Sequence, residues 1–273
     1  MNWELWQGIA ALAVMGVFVL APAASAVTPE VLEALMTTRA CAGCDLSHVG
    51  LEGADLSGAR LAKADLSGAR LADIDLTGAD LEKANLHGAD LTRANLRRSN
   101  LAKTDLAAAT LIDSKLGAAS LEKADLSGAR LHGATLEFAV LERARLVGAD
   151  LRGTVMRGAN LTRADLGDAR LDGADLRRAI LDRANLAGAS LDGVDLRHAS
   201  LERAVLVGAS LRGTVLDRAN FERAALADAD LDGADLSGAN LAEARGLTQS
   251  QLAAACGDAR TALPEGLTVR RCD

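Results

Sequence analysis

Ala54-Asp55-Leu56-Ser57-Gly58-Ala59-Arg60-Leu61-Ala62-Lys63-Ala64-Asp65-Leu66 places a leucine at every fifth residue, a register unbroken from Leu46 to Leu241. Of these forty positions thirty-eight are Leu; the other two are Met156 and Phe221. Two residues before each stands a small or β-branched residue, mostly Ala, with Cys44, Val49, Ile74, Ser99, Thr104, Ser114, Thr154, Val194 and Thr214 as the exceptions. A period of five fits neither the 3.6 of a helix nor the 2 of a strand. A helix would spread these leucines around its circumference, and a flat strand would send alternate ones to opposite faces. A coil that turns a corner every five residues brings every Leu, and the small residue before it, to the inside. One such turn cannot bury its own apolar face, so the turns must stack on one another. In Leu56-Ser57-Gly58-Ala59 the third turn position is Gly, where a type II turn needs φ > 0.

The motif A(D/N)LxG, as in Ala54-Asp55-Leu56-Ser57-Gly58, resembles the pentapeptide-repeat family. The resemblance implies an all-β fold, a right-handed quadrilateral β-helix with four five-residue sides per coil. The sequence carries an independent sign of four sides. Sorting the residue two after each central Leu by side gives a column of Lys63, Lys83, Lys103, Lys123, Arg143, Arg163, Arg183, Arg203 and Arg223, spaced by 20 and free of Gly. The other sides hold most of the glycines, among them Gly133, Gly153, Gly173, Gly193, Gly213 and Gly233. Forty pentads thus make about ten 20-residue coils, a rod roughly 48 Å long at ~4.8 Å per coil.

The basic side is expected to turn differently. A Cβ residue where Gly sits elsewhere disfavours type II and predicts a type I-like geometry. Beside the cations runs a partly acidic column of Glu82, Glu122, Glu142, Asp182, Glu202 and Glu222. Two readings follow: mutual charge pairing on a solvated face, or a strip that binds an anion or polymer. Surface pairs contribute only ~0–1 kcal/mol each, so the pairing would serve solubility more than stability.

Residues 1–26 read as a secretory signal. An apolar stretch from Ile9 to Leu20 leads to Ala24-Ser25-Ala26, an A-x-A pattern that predicts cleavage near Ala26. The n-region lacks Lys and Arg and carries Glu4, so an uncleaved membrane anchor is the second choice. Thr28 and Pro29 start a short helix to about Thr38, an N-terminal cap over 27–43. The solenoid occupies 44–245. Residues 246–273 form a C-terminal cap, in which Thr248-Gln249-Ser250-Gln251 reads as a capping box for a second helix ended by Cys256-Gly257. All four cysteines lie at these ends. An exported chain with paired cysteines predicts two disulfides, Cys41–Cys44 and Cys256–Cys272. The ending from Cys256 to Cys272 is similar to those of exported bacterial members of the family.

The net charge is −7, which argues against general nucleic-acid binding, where a net basic footprint is required. Aromatic residues make up 2% of the chain, too few for an ordinary globular core but enough for stacked leucines. His48, His87, His132 and His198 fall at scattered outward positions and offer no paired ligands, so no metal and no cofactor are expected. The Asp residues before Leu, such as Asp55, Asp65 and Asp75, read as turn acceptors. A filled interior leaves no substrate pocket, and no enzyme activity is expected. The leading reading is a structural or protein-interaction solenoid of the bacterial cell envelope, periplasmic or secreted. Its partner would be a protein or an envelope polymer, with a homodimer through an end cap as a further option. The alternative comes from the resemblance: a cytoplasmic, DNA-mimicking protein that binds DNA gyrase. The leader, the basic column and the absence of a loop between the repeats count against it.

Overall fold

The computed structural model describes residues 27–272. The expected leader, with Trp3, Trp6 and Phe18, lies outside the described residues. From Ala40 to Arg245 the chain winds so that each residue at the end of a pentad bridges, in parallel, the residue 20 further on: Ala40 with Arg60, Asp65 with Asn85, Ala225 with Arg245. Twenty residues therefore make one coil, as the basic column implies.

The hydrogen bonds of one pentad explain why the coil stacks. The amides of Leu81 and Lys83 donate up the rod to the carbonyls of Asn100 (2.7 Å) and Ala102 (3.0 Å). The amide of Ala84 closes the turn on the carbonyl of Leu81 at 2.9 Å, and that of Asn85 donates down the rod to Ala64, also at 2.9 Å. The fifth amide is that of the residue after Leu, and the acid ahead of the Leu takes it. Ser57 donates to Asp55 Oδ1 at 2.9 Å, Ser67 to Asp65 at 3.0 Å and Thr77 to Asp75 at 2.8 Å. The repeat residues A, D and L thus satisfy, in turn, packing, the one stray amide, and packing again.

Inside, the leucines and the small residues before them are buried along the whole rod, with Met156 and Phe221 on the Leu register. Five hydroxyl residues interrupt the small-residue rows, and each is satisfied by a Leu carbonyl. Ser99, Ser114 and Thr154 donate within their own turn, to Leu96, Leu111 and Leu151. Thr104 and Thr214 reach the coil below, to Leu81 and Leu191. No buried hydroxyl in these rows is left to offset the apolar burial.

The turns correct one expectation. The basic column does not adopt a type I-like turn. From Lys63 to Arg223 its nine residues hold φ between 57° and 60°, close to the repeat glycines at 60° to 71°. A type I turn would need φ near −90° at this position. The reason is the ladder: the amide at the third position donates to the next coil on every side, from Lys83 as from Gly88, and that bond dictates the backbone. Stacking overrides the ~1–2 kcal/mol preference of a Cβ residue for right-handed backbone.

The two ends differ. Helix α1, Pro29–Thr38, buries Leu32 and Leu35 over the first coil and ends at Arg39 in left-handed conformation. Thr28 is its N-cap residue but makes no side-chain cap bond. The C-terminal expectation is corrected. The Thr248 amide does donate to Gln251 Oε1 at 2.8 Å, as a capping box requires, but the chain continues as turns and not as a helix. Gln251 Nε2 donates to the carbonyls of Leu226 and Ala229, both at 2.8 Å, so the residue satisfies the last coil. Beyond it the ladder resumes. Leu236 donates to Cys256 at 2.7 Å and Leu241 to Ala262 at 2.7 Å. Cys256–Gly257, expected to terminate a helix, forms strand β1, which pairs in parallel with β2, Arg270–Arg271.

Candidate interaction surfaces

Since the interior is filled, whatever this chain recognises must meet its outer faces or its ends. The basic column is one such face. Lys63 to Arg203 are exposed and Arg223 is half-buried. Their acids are close but unevenly distributed. Glu82 lies 3.3 Å from Lys83 and 3.4 Å from Lys103; Glu122 lies 2.7 Å from Lys123. Arg143, Arg203 and Arg223 stand 3.6, 3.6 and 3.9 Å from Glu142, Glu202 and Glu222, and Arg223 also meets Glu243 at 2.6 Å. The lysines at the side-chain hydrogen bonds hold the Glu82 and Glu122 carboxyls below their ordinary range. Lys63, Arg163 and Arg183 have no carboxylate within 4.0 Å among the described residues. Thr162 stands where an acid would pair Arg163, and Asp182 is turned to the Ser200 hydroxyl and the Glu202 amide. Arg163 and Arg183 border a shallow hollow of about 370 Å³.

The adjoining face holds a second departure from the repeat, which the sequence reading did not single out. Arg157, Arg177 and Arg197 follow one another at spacing 20, interleaved with Asp175 and Asp195. Asp175 takes the Nε of Arg157 at 2.6 Å and a bidentate pair from Arg177 at 2.9 and 2.7 Å. Arg177 reaches on to Asp195 at 3.4 Å, which Arg197 grips from the other side at 2.5 Å. The hydrogen bond from Arg177 brings the Asp175 carboxyl down to about 2, against the desolvation that opposes it. Over this ladder lies Phe138, 70% exposed. Its ring covers Gly158 so closely that a Cβ there would fall 2.8 Å from the ring. Phe138, the ladder arginines, Arg178 and His198 line an open hollow of about 480 Å³. On this side the column two residues after Leu reads Phe138, Gly158, Arg178, His198 and Arg218, and the ladder arginines stand in the column one residue after Leu, the signal in the sequence that could have found them.

Both ends carry the expected cysteines. Cys41 is joined to Cys44 and Cys256 to Cys272, with Cα separations of 5.3 and 4.8 Å. Cys41 is buried as its Leu register requires, whereas Cys44 is only half-buried. Asp235 lies beside the second cystine, with Oδ1 3.2 Å from Cys272 Sγ. The four histidines are exposed on separate coils; His87 stands 3.9 Å from Asp105. No helix among the described residues is long and apolar enough to cross a membrane.

Comparison with known proteins agrees with the repeat. The family model described as pentapeptide repeats matches in eight copies, from residues 41–78 through 204–242. Among solved structures, HetL of the cyanobacterium Nostoc sp. strain PCC 7120, a pentapeptide-repeat protein involved in regulation of heterocyst differentiation, is 35% identical. The match covers 80% of this chain and 95% of HetL, with a TM-score of 0.49. Rfr23 of the cyanobacterium Cyanothece 51142 is 27% identical over 62% of this chain and 95% of its own, with a TM-score of 0.31. A trypsin-treated variant of QnrB1, a plasmid-mediated fluoroquinolone resistance protein, is 18% identical over 81% and 90%, with a TM-score of 0.28. No curated protein sequence matches this chain.

Proposed function

We propose a function from one premise: the chain belongs to the pentapeptide-repeat family, whose right-handed β-helix its coils follow. It serves as a non-enzymatic binding scaffold of the bacterial envelope, a rod of about ten coils that presents a rigid outer face to a protein or polymer. The observation that carries this reading is the core. Every inward position from Leu46 to Leu241 is filled, so recognition is confined to side chains on the faces and at the ends. Members of this family are typically structural or interaction proteins, which accords with such a surface.

Export is the finer part of the proposal. It rests on the apolar leader with its Ala24-Ser25-Ala26 site and on cysteines that pair at both ends, chemistry that persists in oxidising compartments. Fractionation of the native host, with mass spectrometry of the mature N-terminus, tests it. The expected result is recovery outside the cytoplasm, beginning near Val27, without free thiols. Recovery from the cytoplasm, beginning at Met1 with four free thiols, would overturn export and favour a gyrase-binding DNA mimic.

A further inference from the structure

The middle of the rod has a corner where two departures from the repeat meet. On one side is the hollow under Phe138; on the other is the hollow bordered by Arg163 and Arg183. Between them runs the bridged column Val140–Asn160–Ile180, whose apolar members are 39% and 41% exposed. Phe221 is buried, and the other exposed large apolar side chains, Val205 and Val207, stand outside this column. Phe138 is thus the one exposed aromatic residue among the described residues. Three arginines around this corner, Arg163, Arg178 and Arg183, have no carboxylate within 4.0 Å among the described residues, in a chain whose net charge is −7.

We propose that this corner docks an acidic protein segment bearing an exposed aliphatic or aromatic side chain. An aromatic anchor on a rigid support, ringed by arginines, is the residue chemistry that concentrates binding energy in protein interfaces. Here the support is stiff. Phe138 rides on a turn residue fixed at φ 57° by the coil ladder, and its ring rests on Gly158. The Asp175 and Asp195 carboxylates hold Arg157, Arg177 and Arg197 in place, so little side-chain freedom remains to be lost there. The unpaired guanidinium groups suit carboxylates, which they grip in bidentate fashion. A nucleic-acid backbone fits less well. Its unbroken row of phosphates could not step around Asp217 in one hollow or Glu142, Asp182 and Glu202 in the other, as a segment with spaced carboxylates can, and a lone Phe offers no track for successive bases.

The proposal rests on the scaffold reading and adds the site and the partner's chemistry to it. A display library of random twelve-residue peptides, selected on the full chain and re-tested on Phe138→Ala, Ile180→Ser and Arg178→Gln variants, separates the two. Folding is not at stake in the first variant, because Ala108 and Ala118 already occupy the same turn position at φ 56° and 55°. The expected result is enrichment of peptides rich in Asp and Glu around a Leu, Phe or Trp, with binding at least tenfold weaker to Phe138→Ala and at least threefold weaker to Arg178→Gln. Peptides that bind all variants equally would overturn the corner and leave the scaffold standing. No enrichment on any variant would count against both. Tighter binding of a 20-base-pair duplex than of any selected peptide, or self-association abolished by Phe138→Ala, would replace the acidic segment with another occupant.

Discussion

The backbone amide of Ser127 donates to Oδ1 of Asp125 at 2.9 Å, closing the one amide in that pentad that finds no backbone carbonyl. The same bond recurs with Asn as acceptor, from His87 to Asn85 and from Thr162 to Asn160. Asp125→Ala should therefore lower stability by about 1 kcal/mol, the cost of an unmade local bond, and Asp125→Asn should change it by less than half as much. Urea midpoints of the two variants check this. Equal losses would mean that the carboxylate charge, and not the acceptor oxygen, matters.

Deep in the rod the leucines stack on leucines with no solvent contact. Leu126→Ala should cost about 2–5 kcal/mol, the range for a large core truncation whose walls relax only partly. The loss should be largest mid-rod, where a coil has two neighbours, and smaller at Leu241, where the covering layer is the C-terminal cap. Comparison of the two truncations by chemical denaturation tests whether the rod behaves as coupled nearest-neighbour layers.

Along the basic column the left-handed backbone is imposed on residues that would avoid it. At Arg163, which has no ion pair to lose, substitution by Gly should raise stability by about 0.5–1 kcal/mol. Arg163→Val should lower it, because a β-branched side chain fits φ near 60° worst. If Gly destabilises as well, then the arginine packs or pairs in solution and the column does more than fill a turn.

The core was legible in the sequence and the outer surface only in part, for a physical reason. Leu46 to Leu241 repeat every five residues because each faces the same apolar interior, so the signal is local and redundant. Lys63 misled because turn preference is local while the φ it adopts is set by a hydrogen bond to Glu82, 19 residues away. Gln251 misled for the same reason. Its capping-box spacing is real, but the open carbonyls of Leu226 and Ala229 claim its amide, which no local pattern announces. Phe138 was visible as a residue but not as a site, since its meaning depends on Arg157, Arg177 and Arg178 one and two coils on.

Acid should loosen the rod from the Arg157–Arg197 ladder outward. The Asp175 pKa in the folded chain is about 2, below the ordinary 3.8, so its contribution is fully present above pH 4 and is lost as pH falls from 4 towards 2. The carboxyls of Asp150 and Asp195 are lowered in the same direction by Arg152 and Arg197, although desolvation opposes the shift and is the largest single influence on Asp195. Asp175→Asn should remove about 1–2 kcal/mol at pH 7, after allowance for solvent screening, and only a small fraction of that at pH 2, where the carboxyl is about half protonated. Melting curves across this window test the difference; an equal deficit at both pH values would show that Asn fails for steric reasons.

The two cystines should differ in what they stabilise. Cys41–Cys44 closes a loop with a sequence separation of 3, whereas Cys256–Cys272 spans 16. On chain entropy the second constrains the unfolded state by about 3 kcal/mol and the first by much less. The second also clamps β1 to β2 above the last coil, where Leu236 and Leu241 donate to Cys256 and Ala262. A Cys256→Ser, Cys272→Ser double variant should therefore expose the Leu236 and Leu241 amides to hydrogen exchange at least tenfold faster. The Leu141 amide, many coils away, should keep its protection, since layers communicate only through their neighbours. Faster exchange at Leu141 as well would mean that the cap sets the stability of the whole rod and is not a local cover.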